Sequence, residues 1–278
     1  MRKTEFIRGE SVPVIGQGTW HMGDNPEQRE SEIAALRTGI DLGMTVIDTA
    51  EMYGSGRSEQ LVGEAIAPVR DDVFLVSKVL PSNASRSGTI AACEASLKRL
   101  GTDHIDLYLL HWRGSVPFGE TIEAFEALRE QGKIRHWGVS NLDRDDMDEL
   151  LALGPNAKPV VNQLYYSVAE RGIEFGFRDW LRSQEIGVMA YTPFGVEGAA
   201  KLKSHLGPIA ERHGATPAQI ALAYLIRQDG VLPIPKASSE THVRENAAAA
   251  EIDLTAEDLS EIDAALPPPT RARPLAII

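Results

Sequence analysis

The chain is short of several things, and each shortage closes off a class of protein. It carries one cysteine, Cys93, among 278 residues. That excludes an internal disulfide and a metal site built on cysteines. Cys93 shares an apolar helical spacing with Ile90, Leu97 and Leu100, so it reads as core packing rather than a reactive thiol. No apolar stretch approaches the roughly 18 residues that a membrane span needs. Met1-Arg2-Lys3-Thr4-Glu5-Phe6 has basic residues but no apolar segment behind them, so no secretory signal is expected and the cytoplasm is the default compartment. Positive charge is also scarce. The 28 Lys and Arg stand against 40 Asp and Glu, a formal net charge of −12, which argues against nucleic-acid binding. A phosphate-bearing ligand must therefore find local cations or helix N-termini.

The familiar dinucleotide fingerprint is missing too. Gly16-Gln17-Gly18 is followed by Thr19-Trp20-His21, so the third glycine of G-x-G-x-x-G is absent. Gly54-Ser55-Gly56 leads to Glu59 and fails in the same way. Both read as turns. H-E-x-x-H, the P-loop and G-x-S-x-G do not occur, and no Pro/Gly/Ser-rich linker or charge block divides the chain. Residues 1–278 are therefore expected to form one domain.

What is present is an alternation. Apolar strand-like runs at 14–18, 45–49, 73–78, 105–111, 136–140, 160–163, 187–191 and 231–235 are separated by amphipathic stretches. These lie near 29–43, 57–67, 88–100, 119–131, 143–152, 172–184, 216–228 and 239–249. Such alternation implies a parallel sheet, and eight β/α units predict a closed (β/α)₈ TIM barrel. Thr216-Pro217-Ala218-Gln219 supplies an N-cap, a first-turn proline and a capping-box glutamine. Asp143 precedes a helix with Asp145 and Asp146 in its first turn. Thr4–Phe6 and Ser11–Pro13, flanking Arg8-Gly9-Glu10, predict an N-terminal β-hairpin on the barrel floor. A capped segment from Thr255 predicts an extra C-terminal helix, and Pro267-Pro268-Pro269 begins an extended tail.

The C-terminal ends of barrel strands form the reactive face. In the predicted register that face receives Trp20, Asp48, Tyr53, Lys78, His111, Ser140, Asn141, Gln163, Tyr191 and Lys236. Asp48, Tyr53, Lys78 and His111 have a joint logic. A free tyrosine, with a pKa of about 10, is a poor acid near neutrality. An adjacent ammonium lowers that value, so Lys78 is expected to tune Tyr53 downward while Asp48 holds Lys78 charged. His111 would orient a substrate oxygen. That is chemistry for protonating a carbonyl oxygen, and it requires a hydride donor that no side chain provides. Taken singly, Asp48 and Lys78 are equally a buried ion pair, Tyr53 a surface loop residue and His111 a core histidine. Convergence on one face favours the chemical reading.

These residues carry a family resemblance over essentially the whole chain. Gly18-Thr19-Trp20, Asp48-Thr49-Ala50-Glu51-Met52-Tyr53-Gly54, Ser77-Lys78, Leu109-Leu110-His111-Trp112 and Gly138-Val139-Ser140-Asn141 carry the first half of it. Asn162-Gln163, Tyr191-Thr192-Pro193-Phe194 and Ile234-Pro235-Lys236-Ala237-Ser238 complete it. The sequence resembles the aldo-keto reductases, and within them bacterial members described as methylglyoxal reductases. The resemblance implies an NADPH-dependent carbonyl reductase with Tyr53 as proton donor, Lys78 and Asp48 as its tuning pair and His111 orienting the substrate. It further implies that Ser140, Asn141 and Gln163 bond the nicotinamide carboxamide beneath a stacked Tyr191, and that Gly18, Thr19, Trp20 and Asp48 border the cofactor. Thr192 and Phe194 would line the pyrophosphate channel, Lys236 and Ser238 would meet the 2′-phosphate, and Glu245 and Asn246 would face the adenine.

Two departures bear on specificity. Family members commonly carry an arginine six residues after the lysine, a position taken here by His242. Arg244 is two helical positions on and turned away. His242 lacks the planar fork of arginine, so NADPH is expected to be preferred with some NADH use. Thr192 to Phe194 also replaces the commoner Ser-Pro-Leu. Trp20, Tyr53, Trp112 and Met22 are expected to wall a pocket for small aldehydes and dicarbonyls, with Arg113 either attracting a carboxylate or, the favoured reading, a solvated rim residue. The loop from Phe194 to Leu206 reads as short, and a monomer is expected. An NADPH-binding redox sensor or regulatory subunit, with incidental turnover, is the alternative. A cofactor-free isomerase or lyase would leave the Lys236 segment unexplained.

Overall fold

The architecture is that of a computed structural model describing residues 1–7 and 9–278. Strands β1 (Lys3–Ile7) and β2 (Glu10–Pro13) pair antiparallel as the expected hairpin. Arg8, placed at its turn by the sequence, lies outside the described residues. The strands β3 (Gln17–Gly18), β4 (Val46–Asp48), β5 (Phe74–Val79) and β6 (Ile105–Leu110) follow, each paired in parallel with the next. Strands β7 (Ile134–Ser140), β8 (Val161–Tyr165), β9 (Gly187–Tyr191) and β10 (Val231–Pro233) continue the series. The sheet closes where the Gly16 and Gly18 amides donate to the Pro233 and Pro235 carbonyls at 3.0 and 3.1 Å, and Gly18 bridges to Lys236. This is the (β/α)₈ barrel that the alternation predicted.

The outer layer holds α1 (Arg29–Asp41), α2 (Arg57–Ile66), α3 (Arg86–Leu100), α4 (Phe118–Glu130) and α5 (Arg144–Leu151). It continues with α6 (Phe177–Ser183), α7 (Lys203–Arg212), α8 (Pro217–Ile226), α9 (Glu240–Ala248) and α10 (Ala256–Ala265). Capping sets several boundaries. Thr216 and Gln219 exchange both bonds of a capping box, Thr255 and Asp258 do the same, and the Asp143 carboxylate accepts the Asp146 amide. Two apolar layers result. Inside the barrel, Val46, Val76, Leu107, Leu109, Val161, Met189 and Leu232 stack above Phe6, Ile7 and Val12 of the hairpin, which plugs the floor. Outside it, the strands' other faces pack on the helices.

Three expectations need correction. Of the first predicted strand, 14–18, only Gln17–Gly18 forms regular strand; Gly16 adds one bond to the sheet, and the Val14 amide turns instead to the Arg2 carbonyl at 3.1 Å. The stretch 172–184 holds a 3₁₀ turn (Gly172–Glu174) and the shorter α6, broken at Gly176, whose φ of 82° a β-carbon would strain. Helix α7 was not anticipated at all; Pro208 lies inside it and hides its pattern.

Gly18 has a steric reason to be glycine. A β-carbon there would stand 2.7 Å from the Ile234 carbonyl oxygen, on backbone that cannot step aside. Gly18→Ala is therefore expected to wedge the closing seam and cost about 1–3 kcal/mol, read as a lower urea midpoint at unchanged slope.

Candidate active site

Helical turns and loops leave the C-terminal ends of the strands facing one cavity of about 620 Å³. Lys78, on β5, is fully buried behind Asp48 and Tyr53, which line that cavity while Lys78 itself does not. A buried ammonium must have acceptors, and this one has three. Its Nζ lies 2.8 Å from Asp48 Oδ2, 2.9 Å from the Thr49 carbonyl and 3.2 Å from the Tyr53 hydroxyl. The other Asp48 oxygen accepts the Gln163 amide at 2.7 Å. Asp48 ends β4 and Gln163 sits on β8, so the pair is braced from opposite sides of the barrel. Tyr53 opens a 3₁₀ turn (Tyr53–Gly56) in which Gly54, Ser55 and Gly56 all have positive φ. The tight turn returns the ring over the β4 end, where its centroid is 4.8 Å from the Lys78 ammonium.

The electrostatics differ from the sequence expectation in one respect. Burial raises the Tyr53 pKa above its ordinary value, and the Lys78 charge only moderates that rise. For Lys78 itself, burial would favour the neutral amine, but Asp48 and the tyrosine oxygen outweigh it and keep the ammonium charged. Tyr53 is thus an acid that keeps its proton until a stronger demand for it arises.

His111 follows β6 with its ring centroid 5.9 Å from Tyr53, edge to face. Burial, helped by the nearby Lys78 charge, pushes its pKa down to about 2. The ring is therefore neutral at pH 7. Its Nδ1 is buried without a partner among the described residues, and no such burial applies to Nε2. A bare lone pair is less costly to bury than an unpaired N–H, so the proton belongs on Nε2, open to the cavity.

The remaining polar groups form a linked row. The Ser140 hydroxyl donates to the Gln163 carbonyl at 2.9 Å, the Asn141 amide donates to the His111 carbonyl at 3.2 Å, and the Tyr191 hydroxyl donates to Asn141 Oδ1 at 2.8 Å. Asn141 has φ of 57°, which asparagine tolerates, whereas Thr192, β-branched at φ 49°, is strained. Tyr191 stacks on Tyr165, with ring centroids 5.8 Å apart. Lys236, exposed at the cavity edge, has no carboxylate partner among the described residues.

A family model described as aldo/keto reductase family matches residues 14–267. The chain belongs to that family. It is 49% identical over 269 residues to the methylglyoxal reductase YeaE of Escherichia coli, covering 95% of each chain. Against the glyoxal reductase of Bacillus subtilis it is 36% identical, covering 92% of this chain and 90% of the other. An aldo-keto reductase from Klebsiella pneumoniae solved in complex with NADPH is 48% identical at a TM-score of 0.96, over 100% of this chain and 99% of that one. Another structure from that organism, in complex with NADP and acetate, gives 47% and 0.95 over 99% of both chains.

Of the residues the sequence singled out, this reductase brings Gly18, Thr19, Trp20, Asp48, Tyr53, His111 and Trp112 to the cavity wall. Ser140, Asn141, Gln163, Tyr191, Thr192, Phe194 and Lys236 join them. Ser238, His242, Glu245 and Asn246 do not line this cavity. They lie on the segment that leads from Lys236 into α9, where the Ser239 hydroxyl caps the His242 amide, His242 is exposed and Asn246 is buried. Arg244 pairs with Glu240 at 3.6 Å, away from any phosphate role. Met22 was expected in the wall but is buried in the core; Met52 stands there instead, half-exposed. Arg113 stands at the cavity wall, partly exposed, and is in addition forked onto Asp146 and Glu149. Ile277 and Ile278 also line the cavity, so the extended tail folds back over the barrel mouth. The Thr49 carbonyl had no possible signal, since every residue offers one.

His111 makes a test of the buried site. Its folded pKa of about 2 lies below its unfolded value of 6.5, so the unfolded chain binds the proton first. The stability this confers is complete above pH 6.5 and is lost as pH falls toward 2. Between pH 7 and 5 the wild type should lose about 2 kcal/mol more unfolding free energy than His111→Gln, measured by urea denaturation.

Proposed function

We propose that the protein reduces the carbonyl group of small aldehydes and dicarbonyls of the methylglyoxal type, with NADPH as reductant and Tyr53 as proton donor. The observation that carries this is the Lys78 ammonium, bonded at once to Asp48 and to the Tyr53 hydroxyl, which line one cavity with a neutral His111. The names of the similar methylglyoxal and glyoxal reductases support the substrate class.

The residues present fit an NADPH molecule. Lys236, exposed at one edge of the cavity and without a carboxylate partner among the described residues, is suited to a phosphate, and Tyr191, stacked on Tyr165, lines the wall. When bound, that cofactor supplies the hydride that reduces the carbonyl carbon. Asn141, held by Tyr191 and His111, and Ser140, held by Gln163, would orient the nicotinamide amide. Gln163 has a second duty, since its amide is committed to Asp48. His242, exposed in the first turn of α9, offers a phosphate one donor where arginine offers a fork, so some NADH use is expected.

The carbonyl oxygen would sit between the Tyr53 hydroxyl and the His111 Nε2–H, two neutral donors that polarise it. As negative charge grows on that oxygen, Tyr53 gives up its proton, and the Lys78 ammonium stabilises the phenolate left behind. Asp48 keeps Lys78 in place and charged throughout. Trp20, Trp112 and Met52 supply apolar walls for the substrate.

Absorbance of NADPH should fall when wild type is mixed with methylglyoxal. Tyr53→Phe should lower kcat by about 100-fold or more while leaving NADPH fluorescence quenching in place. Because burial holds the Tyr53 pKa above 10, the reduction rate should stay level from neutral pH upward and fall only beyond that value. Full activity in Tyr53→Phe would refute the assignment of the proton donor.

A further inference from the structure

Arg113 leaves β6 two residues after His111 and enters the wall of the catalytic cavity together with Asp146. Both Nη groups of its guanidinium are engaged in place. Nη1 donates to Asp146 Oδ1 at 3.0 Å and to Glu149 Oε2 at 2.8 Å, and Nη2 donates to Glu149 Oε1 at 3.0 Å. Its flat face lies 4.4 Å from the Phe118 ring centroid. Asp146 and Glu149 are three residues apart on α5, a spacing that puts both on one face of the helix. One arginine is thus covered by two carboxylates, and the trio carries one net negative charge.

The other charged residues lining the cavity are Asp48, neutralised by Lys78, and Lys236 at the cofactor edge. The wall beside Trp112 therefore presents a cation already claimed by this chain's own acids. An incoming carboxylate meets a guanidinium whose Nη fork is already held by Asp146 and, from behind the cavity wall, by Glu149, so that its charge is more than balanced.

We propose that the Arg113–Asp146–Glu149 cluster is a charge filter, which admits neutral carbonyl substrates and rejects those carrying a carboxylate. The inference rests on the carbonyl reduction proposed above and refines its substrate class. Arg113 is the latent carboxylate receptor, and Asp146 and Glu149 are what keeps it closed. Releasing the arginine should convert rejection into bidentate binding, since a guanidinium fork matches a carboxylate in geometry.

The test pairs substrates that differ in one charged group: 4-oxobutanoate with butanal, and 5-oxopentanoate with pentanal. The readout is the ratio of kcat/KM for the acid to that for the matched alkanal. In wild type the ratio should be well below one and should rise with salt, because salt screens the repulsion. In Asp146→Asn with Glu149→Gln it should rise by about tenfold, the worth of one charge-assisted hydrogen bond, and should then fall with salt. Adding Arg113→Met to that pair should remove the gain. Should the double variant fold poorly, Glu149→Gln alone, a change at a largely exposed carboxylate, should move the ratio in the same direction by a smaller factor. A ratio that does not rise in these variants, or a gain that survives loss of Arg113, overturns the filter. Failure of wild type to reduce butanal and pentanal would instead overturn the carbonyl reduction on which it rests; reduction of the alkanals with an unmoved ratio overturns the filter alone.

Discussion

A lysine with no solvent exposure is the constraint around which this barrel is arranged. An ammonium in a low-dielectric interior is stable only if several oxygens face it, and they must come from parts of the chain far apart in sequence. Here they come from β4, from the residue after it and from the turn that carries Tyr53. Asp48 in turn needs a partner for its second oxygen and finds it on β8, across the barrel interior. Removing either charge would strand the other. The closed sheet is the device that holds all four elements at hydrogen-bond distance, and the glycine seam between Gly18 and Ile234 is where that closure is tightest.

The same burial acts differently on the two donors that face the cavity. It makes Tyr53 a weaker acid and His111 a far weaker base, so both stand neutral with a proton to offer at physiological pH. The Lys78 charge opposes the first effect and reinforces the second. An ammonium in this position cannot be read simply as lowering a tyrosine pKa. In the proposed reaction its larger role would be to stabilise the phenolate once the proton has left, when desolvation would otherwise make that anion costly.

Much of this was legible in the sequence because each key residue ends an apolar run. Strand periodicity located Asp48, Lys78, Ser140, Gln163 and Tyr191, and the parallel topology then required them to share a face. Helix caps at Asp143, Thr216 and Thr255 were readable for a local reason, since a cap needs one side chain and a backbone three residues away. What stayed hidden depended on distance. The Gln163–Asp48 bond joins residues 115 apart, and the Arg113 fork spans 33 to 36 positions. Met22, after β3, and Met52, after β4, differ in burial, which only the folded loops decide. Net electrostatic direction at Tyr53 was missed because burial depth is a property of the closed barrel.

Reaction and substrate choice are encoded in different parts of the chain, and that separation has a physical basis. In the tetrad, Asp48, Lys78 and His111 sit at strand ends and Tyr53 on the turn that follows β4, where the sheet fixes positions and a substitution strands a charge. The walls around it come from loops and helix starts: Trp20, Trp112, Arg113, Asp146 and the tail at Ile277 and Ile278. Those segments bear little of the barrel's packing, so their side chains can differ without loss of the fold. A carbonyl oxygen makes the same demand of Tyr53 and His111 whatever group the carbonyl carries. In the proposed reaction selectivity must then act on the rest of the substrate, and the wall it would meet includes Arg113, held by Asp146 beside it and Glu149 behind it.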